Sequence, residues 1–134
     1  GSVYVGDTHH YWAAPFKLNN EFGGRGLPHP LPSNAHIMNT KRTTQPMENT
    51  TLAVVMTNAS LSQAECKRIA VNAHDGFARA IYPVHTPSDG DLVFVISSNE
   101  IDIAGTNVDT LHLGTAAANV VARAIAKGVH LANR

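Results

Sequence analysis

Two continuous apolar runs, Leu52-Ala53-Val54-Val55-Met56-Thr57 and Leu92-Val93-Phe94-Val95-Ile96, each lead into a stretch with helical periodicity. Runs this short, rich in β-branched residues, read as buried strands. The second shows no polar alternation, which predicts a strand covered on both faces and central in its sheet. After the first run, Ser62 and Glu65 stand three apart as a capping box. Cys66, Ile69, Ala70, Ala73, Phe77, Ala80 and Ile81 then recur on one helical face until Pro83 ends it. After the second run, Leu111, Gly114, Ala117, Ala118, Val121, Ala124 and Ile125 lay a stripe of mostly small residues along a helix from Asn107 to Lys127, with Gly128 as C-cap. Strand, helix, strand, helix specifies an α/β fold in layers.

Upstream the texture is different. Five of the seven prolines, Pro15, Pro28, Pro30, Pro32 and Pro46, fall between Gly6 and Asn49, together with Gly23-Gly24, Gly26 and Asn19-Asn20. Proline removes a backbone donor and glycine loosens the chain, so this segment reads as long loops after one short strand, Val3-Tyr4-Val5. Loops of that length inside a compact domain are usually functional or mobile. The chain opens Gly1-Ser2 in place of methionine. It is therefore read as the downstream portion of something longer, two vector-derived residues being the other possibility.

Composition narrows the function classes. With 134 residues, 43% of them hydrophobic, the chain can bury one core. Ten Lys plus Arg balance ten Asp plus Glu, which leaves no net field to gather a phosphate backbone or an anionic membrane surface. No apolar run approaches the roughly 20 residues that span a bilayer. Cys66 is the single cysteine and has no internal partner, and the start lacks a signal-peptide pattern, so the expected setting is a reducing cytoplasm.

Candidate chemistry concentrates at the junction Asn49-Thr50, where the polar loop meets the first apolar run, and at Ser88-Asp89-Gly90-Asp91, just before the second. A hydroxyl is a weak nucleophile unless a base adjoins it, and a threonine freed as a new N-terminus carries that base as its own α-amine. The amine's reference pKa of roughly 7.7 to 8.0 suits general-base work near neutrality. In an extended chain residues two apart project to one side, so Asp89 and Asp91 are both expected to face Thr50. On residue pattern alone, Ser-Asp-Gly-Asp is equally a good turn sequence and Asn-Thr an ordinary loop end.

The stretch from Asn49 to Ala59, a helix, and then Asp89-Gly90-Asp91 ahead of a hydrophobic strand resemble the self-processing N-terminal nucleophile hydrolases of the L-aminopeptidase/D-amidase-esterase family. Within that family the chain is similar to the nylon-oligomer hydrolases, with threonine at position 50 and an aspartate pair where the aminopeptidase branch has serine as nucleophile and a serine and glutamate. The resemblance is specific from about Asn49 to Arg134. It implies a layered αββα sandwich only partly contained in this chain. It implies self-cleavage between Asn49 and Thr50, residues 1–49 ending an upstream α-subunit-like segment and residues 50–134 forming the catalytic segment. Thr50, Asp89 and Asp91 become the implied catalytic residues, with no cofactor and no metal, acting on linear amide oligomers of the nylon-6 type. The implied partners are an amide or peptide substrate and an upstream segment outside this chain, in a homo-oligomer of processed heterodimers. That upstream segment carries the family's assisting tyrosine, lysine and asparagine. Sibling readings are an aminopeptidase or amidase on natural peptides, an acyl transferase of the ornithine acetyltransferase type, and an inactive structural module.

Other residues rank lower. Thr51 competes as nucleophile, but cleavage before it breaks the family register. The eight histidines include no pair at the i, i+4 spacing of a helical zinc site, and read as surface or structural. Cys66 falls on the apolar helix face, where packing is its expected role. Asp89 and Asp91 lack the phosphate-cradling glycine loop that accompanies many Mg²⁺ sites. Tyr4, Tyr11, Trp12 and Phe16 suit a core or a binding cleft equally.

Overall fold

The structure is a computed structural model that describes residues 1–38, 50–87, 89–104, 106 and 108–133. The regular elements follow the predicted order: strand β1 (Leu52–Ala59), helix α1 (Gln63–Ala80), strand β2 (Leu92–Ile101) and helix α2 (Thr110–Ala132). The fold is mixed α/β. β1 and β2 run parallel, pairing Leu52 with Leu92 through Thr57 with Ser97, before a register shift that brings Ala59 opposite Ile101. Asn99 takes a left-handed φ of 56° at that shift, and its Oδ1 accepts the Leu61 N–H at 3.0 Å.

The capping box forms as expected. Ser62 Oγ accepts the Glu65 N–H at 3.3 Å while Glu65 Oε2 accepts the Ser62 N–H at 2.8 Å. α1 ends at Ala80, ahead of Pro83. α2 departs from expectation at both ends. It begins at Thr110, because Asp109 serves as N-cap and accepts the His112 N–H at 2.9 Å. It also runs through Gly128, because the residues beyond still pack: Val129 lies against a hydrophobic cluster, and the His130 ring meets Tyr11 at 6.0 Å.

One core lies between the sheet and the helices, with Ile69, Ala73 and Phe77 of α1 meeting Val93 of β2 and Ala117 and Val121 of α2. Burying a side chain such as Phe77 or Ile69 contributes about 1.5–3 kcal/mol. The small-residue stripe on α2 brings the helix axes close. A β-carbon on Gly76 would stand 2.5 Å from the Ala118 carbonyl oxygen.

A second cluster, Tyr11, Ala13, Phe22, Ala80, Ala122 and Ala126, fixes the irregular N-terminal segment against the helices. Among its described residues that segment holds two 3₁₀ turns, Ala14–Phe16 and Glu21–Gly23. Val3-Tyr4-Val5, read as a short strand, forms an isolated antiparallel bridge instead, Tyr4 with Tyr11, and the preceding Ser2 forms another with Tyr82. Arg123 grips Glu21 through two 2.7 Å bonds, and Arg79 lies 4.9 Å over the Phe16 ring. Tyr11 is core, as is the neighbouring Ala13.

The prediction that β2 is covered on both faces holds for one face among the described residues. Leu52, Val54 and Met56 on β1 stand beside their partners Leu92, Phe94 and Ile96 on β2, and each is between 44% and 75% exposed. Both helices lie on the opposite face, so among the described residues no helix covers the apolar side chains of this one. No helix among the described residues is long and apolar enough to cross a membrane.

Candidate functional site

The parallel register determines what surrounds Thr50. With Leu52 opposite Leu92, continuing the pairing back by two residues sets Thr50 beside Gly90 and Thr51 beside Asp91. The atoms agree: a β-carbon at Gly90 would stand 2.9 Å from Thr50 Oγ1. Only glycine lets the hydroxyl settle this close to the loop backbone. Thr50 is exposed, at the mouth of the strand pair. Asn49 and Ser88 lie outside the described residues.

The two aspartates flank this seat but have different partners. Asp91 turns inward, its side chain 5% exposed, and its Oδ1 accepts the Thr51 N–H at 3.0 Å. The Thr51 carbonyl in turn accepts the Leu92 N–H at 3.0 Å, so the residue after the candidate nucleophile is held on both sides. Asp89 turns back onto its own loop. Its Oδ2 accepts both the N–H and the hydroxyl of Thr86 at 2.9 Å, and its own N–H donates to the Thr86 carbonyl. These bonds, the backbone one foremost, hold the Asp89 carboxyl below the usual aspartate range against the opposing effect of burial. Among the described residues no hydrogen bond joins Thr50 to either carboxylate. The pair therefore brackets Thr50 through Gly90 and Thr51 instead of converging on its hydroxyl, because Asp89 bonds back to Thr86 while Asp91 reaches across to the entrance of β1.

Sequence reasoning missed His85. Its Nδ1 lies 2.8 Å from Asp91 Oδ2, and its side chain is 40% exposed. The contact is close without being aligned, and Oδ2 has no hydrogen-bond partner among the described residues. His85 has a φ of 53°, in the left-handed region that costs an L-residue roughly 1–2 kcal/mol. His74 and Phe77 of α1 flank its ring at 5.3 and 5.9 Å. No periodicity marks such a residue, since it sits in a loop and meets Asp91 through a turn.

Among the described residues no group of three or more His, Cys, Asp or Glu side chains is placed to hold a metal ion. Cys66 packs partly buried against the main core.

Fold and site together define a mixed α/β protein that gathers a threonine hydroxyl, two carboxylates and an imidazole at one end of a parallel strand pair. The chain belongs to Peptidase family S58, whose model matches residues 15–134. It is similar to a protein named as an uncharacterized aminopeptidase from Mycobacterium bovis, 43% identical over 91 residues, which is 60% of this chain and 26% of that protein. A counterpart from Mycobacterium leprae is 48% identical over 58 residues, 43% of this chain and 16% of its own length. The 6-aminohexanoate-oligomer endohydrolase of Paenarthrobacter ureafaciens is 38% identical over 58 residues, again 43% of this chain and 16% of that protein. The chain thus spans about a quarter or less of the length of these relatives.

Proposed function

We propose that this chain carries the nucleophile of an amidohydrolase in which Thr50, freed by self-cleavage after Asn49, attacks linear amides. The observation that carries this reading is the seat of Thr50 Oγ1 against Gly90, between two aspartates, with the following amide held by Asp91. Thr50 Oγ first attacks the Asn49 carbonyl carbon. The peptide bond gives way to an ester, and water cleaves that ester to leave an Asn49 carboxylate and a free Thr50 amine. In turnover that amine takes the hydroxyl proton, the oxygen attacks the substrate carbonyl, and the proton passes to the departing amine. Water then resolves the acyl ester. Asp91 keeps the strand entrance in register, and the negative charge of Asp89 favours the transient ammonium.

Residues 50–134 form the catalytic segment in this reading, and residues 1–49 end the segment upstream of it. The exposed apolar face of β1 and β2 supports a second sheet packing there, which makes the described unit one half of an αββα sandwich. Further polypeptide supplies that sheet, the assisting residues and the oxyanion donors, in an oligomer of processed heterodimers in the cytoplasm. The name of the Paenarthrobacter relative supports linear nylon-6 type oligomers as substrate. A second reading, an aminopeptidase on natural peptides, is favoured by the higher identity to the mycobacterial protein.

Intact mass of the complete gene product tests the first stage. Two pieces split after Asn49 are expected, with Thr50→Ala staying whole. A wild type that remains uncut after prolonged incubation rules out self-activation. A panel of linear amide oligomers and short peptides then decides between the substrate classes.

A further inference from the structure

We propose that His85 is a positioning residue for the candidate nucleophile: its imidazole clamps Asp91 so that the opposite carboxylate oxygen holds the Thr51 amide, and with it the hydroxyl and nitrogen of Thr50. This role presupposes the amidohydrolase reading of Thr50.

Three independent features point to it. The Asp91 side chain is nearly inaccessible, with Oδ1 bonded to the Thr51 N–H and Oδ2 lacking any hydrogen-bond partner among the described residues. A buried carboxylate oxygen left unmet is costly, so a donor within reach of it acquires a purpose. His85 Nδ1 is that donor, 2.8 Å away, and a small rotation of the ring aligns its N–H. The backbone of His85 is left-handed, at a φ of 53°, where glycine or asparagine is the comfortable choice. Strain of this kind persists where the side chain has a task. The ring is also fixed from behind by His74 and Phe77 of α1, which ties the orientation of the carboxylate to the body of the fold.

Together, His85 and Thr86 give each aspartate one partner from adjacent residues of a single loop. A displaced Asp91 releases the Thr51 amide, and the strand entrance that carries Thr50 loses its anchor. Misplacement of a nucleophile by even a fraction of a contact distance slows the reaction without altering substrate binding.

Two substitutions separate this role from a structural one. His85→Gly removes the imidazole and relieves the backbone, whereas His85→Asn tolerates the same φ and keeps an amide N–H near the position of Nδ1. Turnover and thermal midpoint are measured on the complete gene product. Exchange of the Thr51 amide is followed by NMR in a Thr50→Ala background, where the chain stays whole and that amide is internal. The expected result for His85→Gly is exchange at Thr51 and a kcat loss of about tenfold each, the factor one charge-assisted hydrogen bond supplies. KM stays within about twofold, the thermal midpoint is unchanged or higher, and His85→Asn restores both rates. Unaltered exchange at Thr51 in His85→Gly overturns the role, as does a fall in thermal midpoint that His85→Asn leaves uncorrected. If the parent protein hydrolyses no amide, the amidohydrolase reading falls, and the exchange comparison alone decides whether His85 clamps Asp91.

Discussion

The Thr51 N–H donates to Asp91 Oδ1 at 3.0 Å, tying the entrance of β1 to the entrance of β2 one residue after the candidate nucleophile. Removing the carboxylate leaves that amide without its acceptor, at a cost of about 1–3 kcal/mol. Asp91→Ala is expected to lower stability by this modest amount and amide turnover by roughly 100-fold. Asp91→Asn keeps an oxygen for Thr51, so stability and turnover are both expected to stay closer to wild type than in Asp91→Ala. Denaturant titration and single-turnover kinetics on the two variants check the split, and unchanged turnover in Asp91→Ala removes this residue from the site.

Gly90 supplies a sharper probe of the same seat. An alanine β-carbon there meets Thr50 Oγ1 at 2.9 Å, and the threonine relieves the clash by swinging its short side chain away. Gly90→Ala is expected to fold with near-normal stability and to lose self-cleavage and turnover by about 100-fold, since a displaced nucleophile is a poor one. Time courses by intact mass, set beside a thermal melt, report both.

Gly76 tests the helix pair. The approaching groups are the Ala118 carbonyl at 2.5 Å and the Val121 Cβ at 2.7 Å, neither at the end of a flexible side chain. Alanine gains about 1 kcal/mol of helix propensity, and overpacking at a rigid contact outweighs it. Gly76→Ala is expected to lose about 1–3 kcal/mol by equilibrium denaturation.

The Glu21–Arg123 pair sets an acid limit for the N-terminal segment. Hydrogen bonds from Arg123, foremost, lower the Glu21 carboxyl from 4.5 to about 2. A depressed carboxyl stabilises the fold fully above its unfolded pKa, and that contribution is lost as pH falls through the folded value. Glu21→Gln should therefore be less stable than wild type at pH 6, with the gap closing between pH 4.5 and about 2. The side chains are partly exposed, so added salt should narrow the gap at pH 6 as well. Denaturant midpoints across that pH range measure it.

Much of this was legible in the chain itself. The period of the apolar residues determined two strands and two helices in their order, because burial requires one face of each element. Ser62 and Glu65 determined where α1 starts through purely local bonds, and the alanine and glycine stripe on α2 anticipated the close helix contact. Position 50 stood out through the family resemblance alone, since Asn-Thr before a strand is by residue type an ordinary loop end. Three features were decided only by tertiary structure. α2 runs past Gly128 because His130 and Val129 find partners among distant residues near the N-terminus. Asp89 and Asp91 divide their attention between Thr86 and Thr51 because Asp89 is bonded back to its own loop through both its N–H and its carboxylate, whereas Asp91 stands where the strand pairing brings it to Thr51. His85 comes to Asp91 through a left-handed loop that no sequence period encodes. Local periodicity reports which face of an element is buried, but side chains from separate loops meet only where the register of paired strands brings them, and that register is a property of the folded chain.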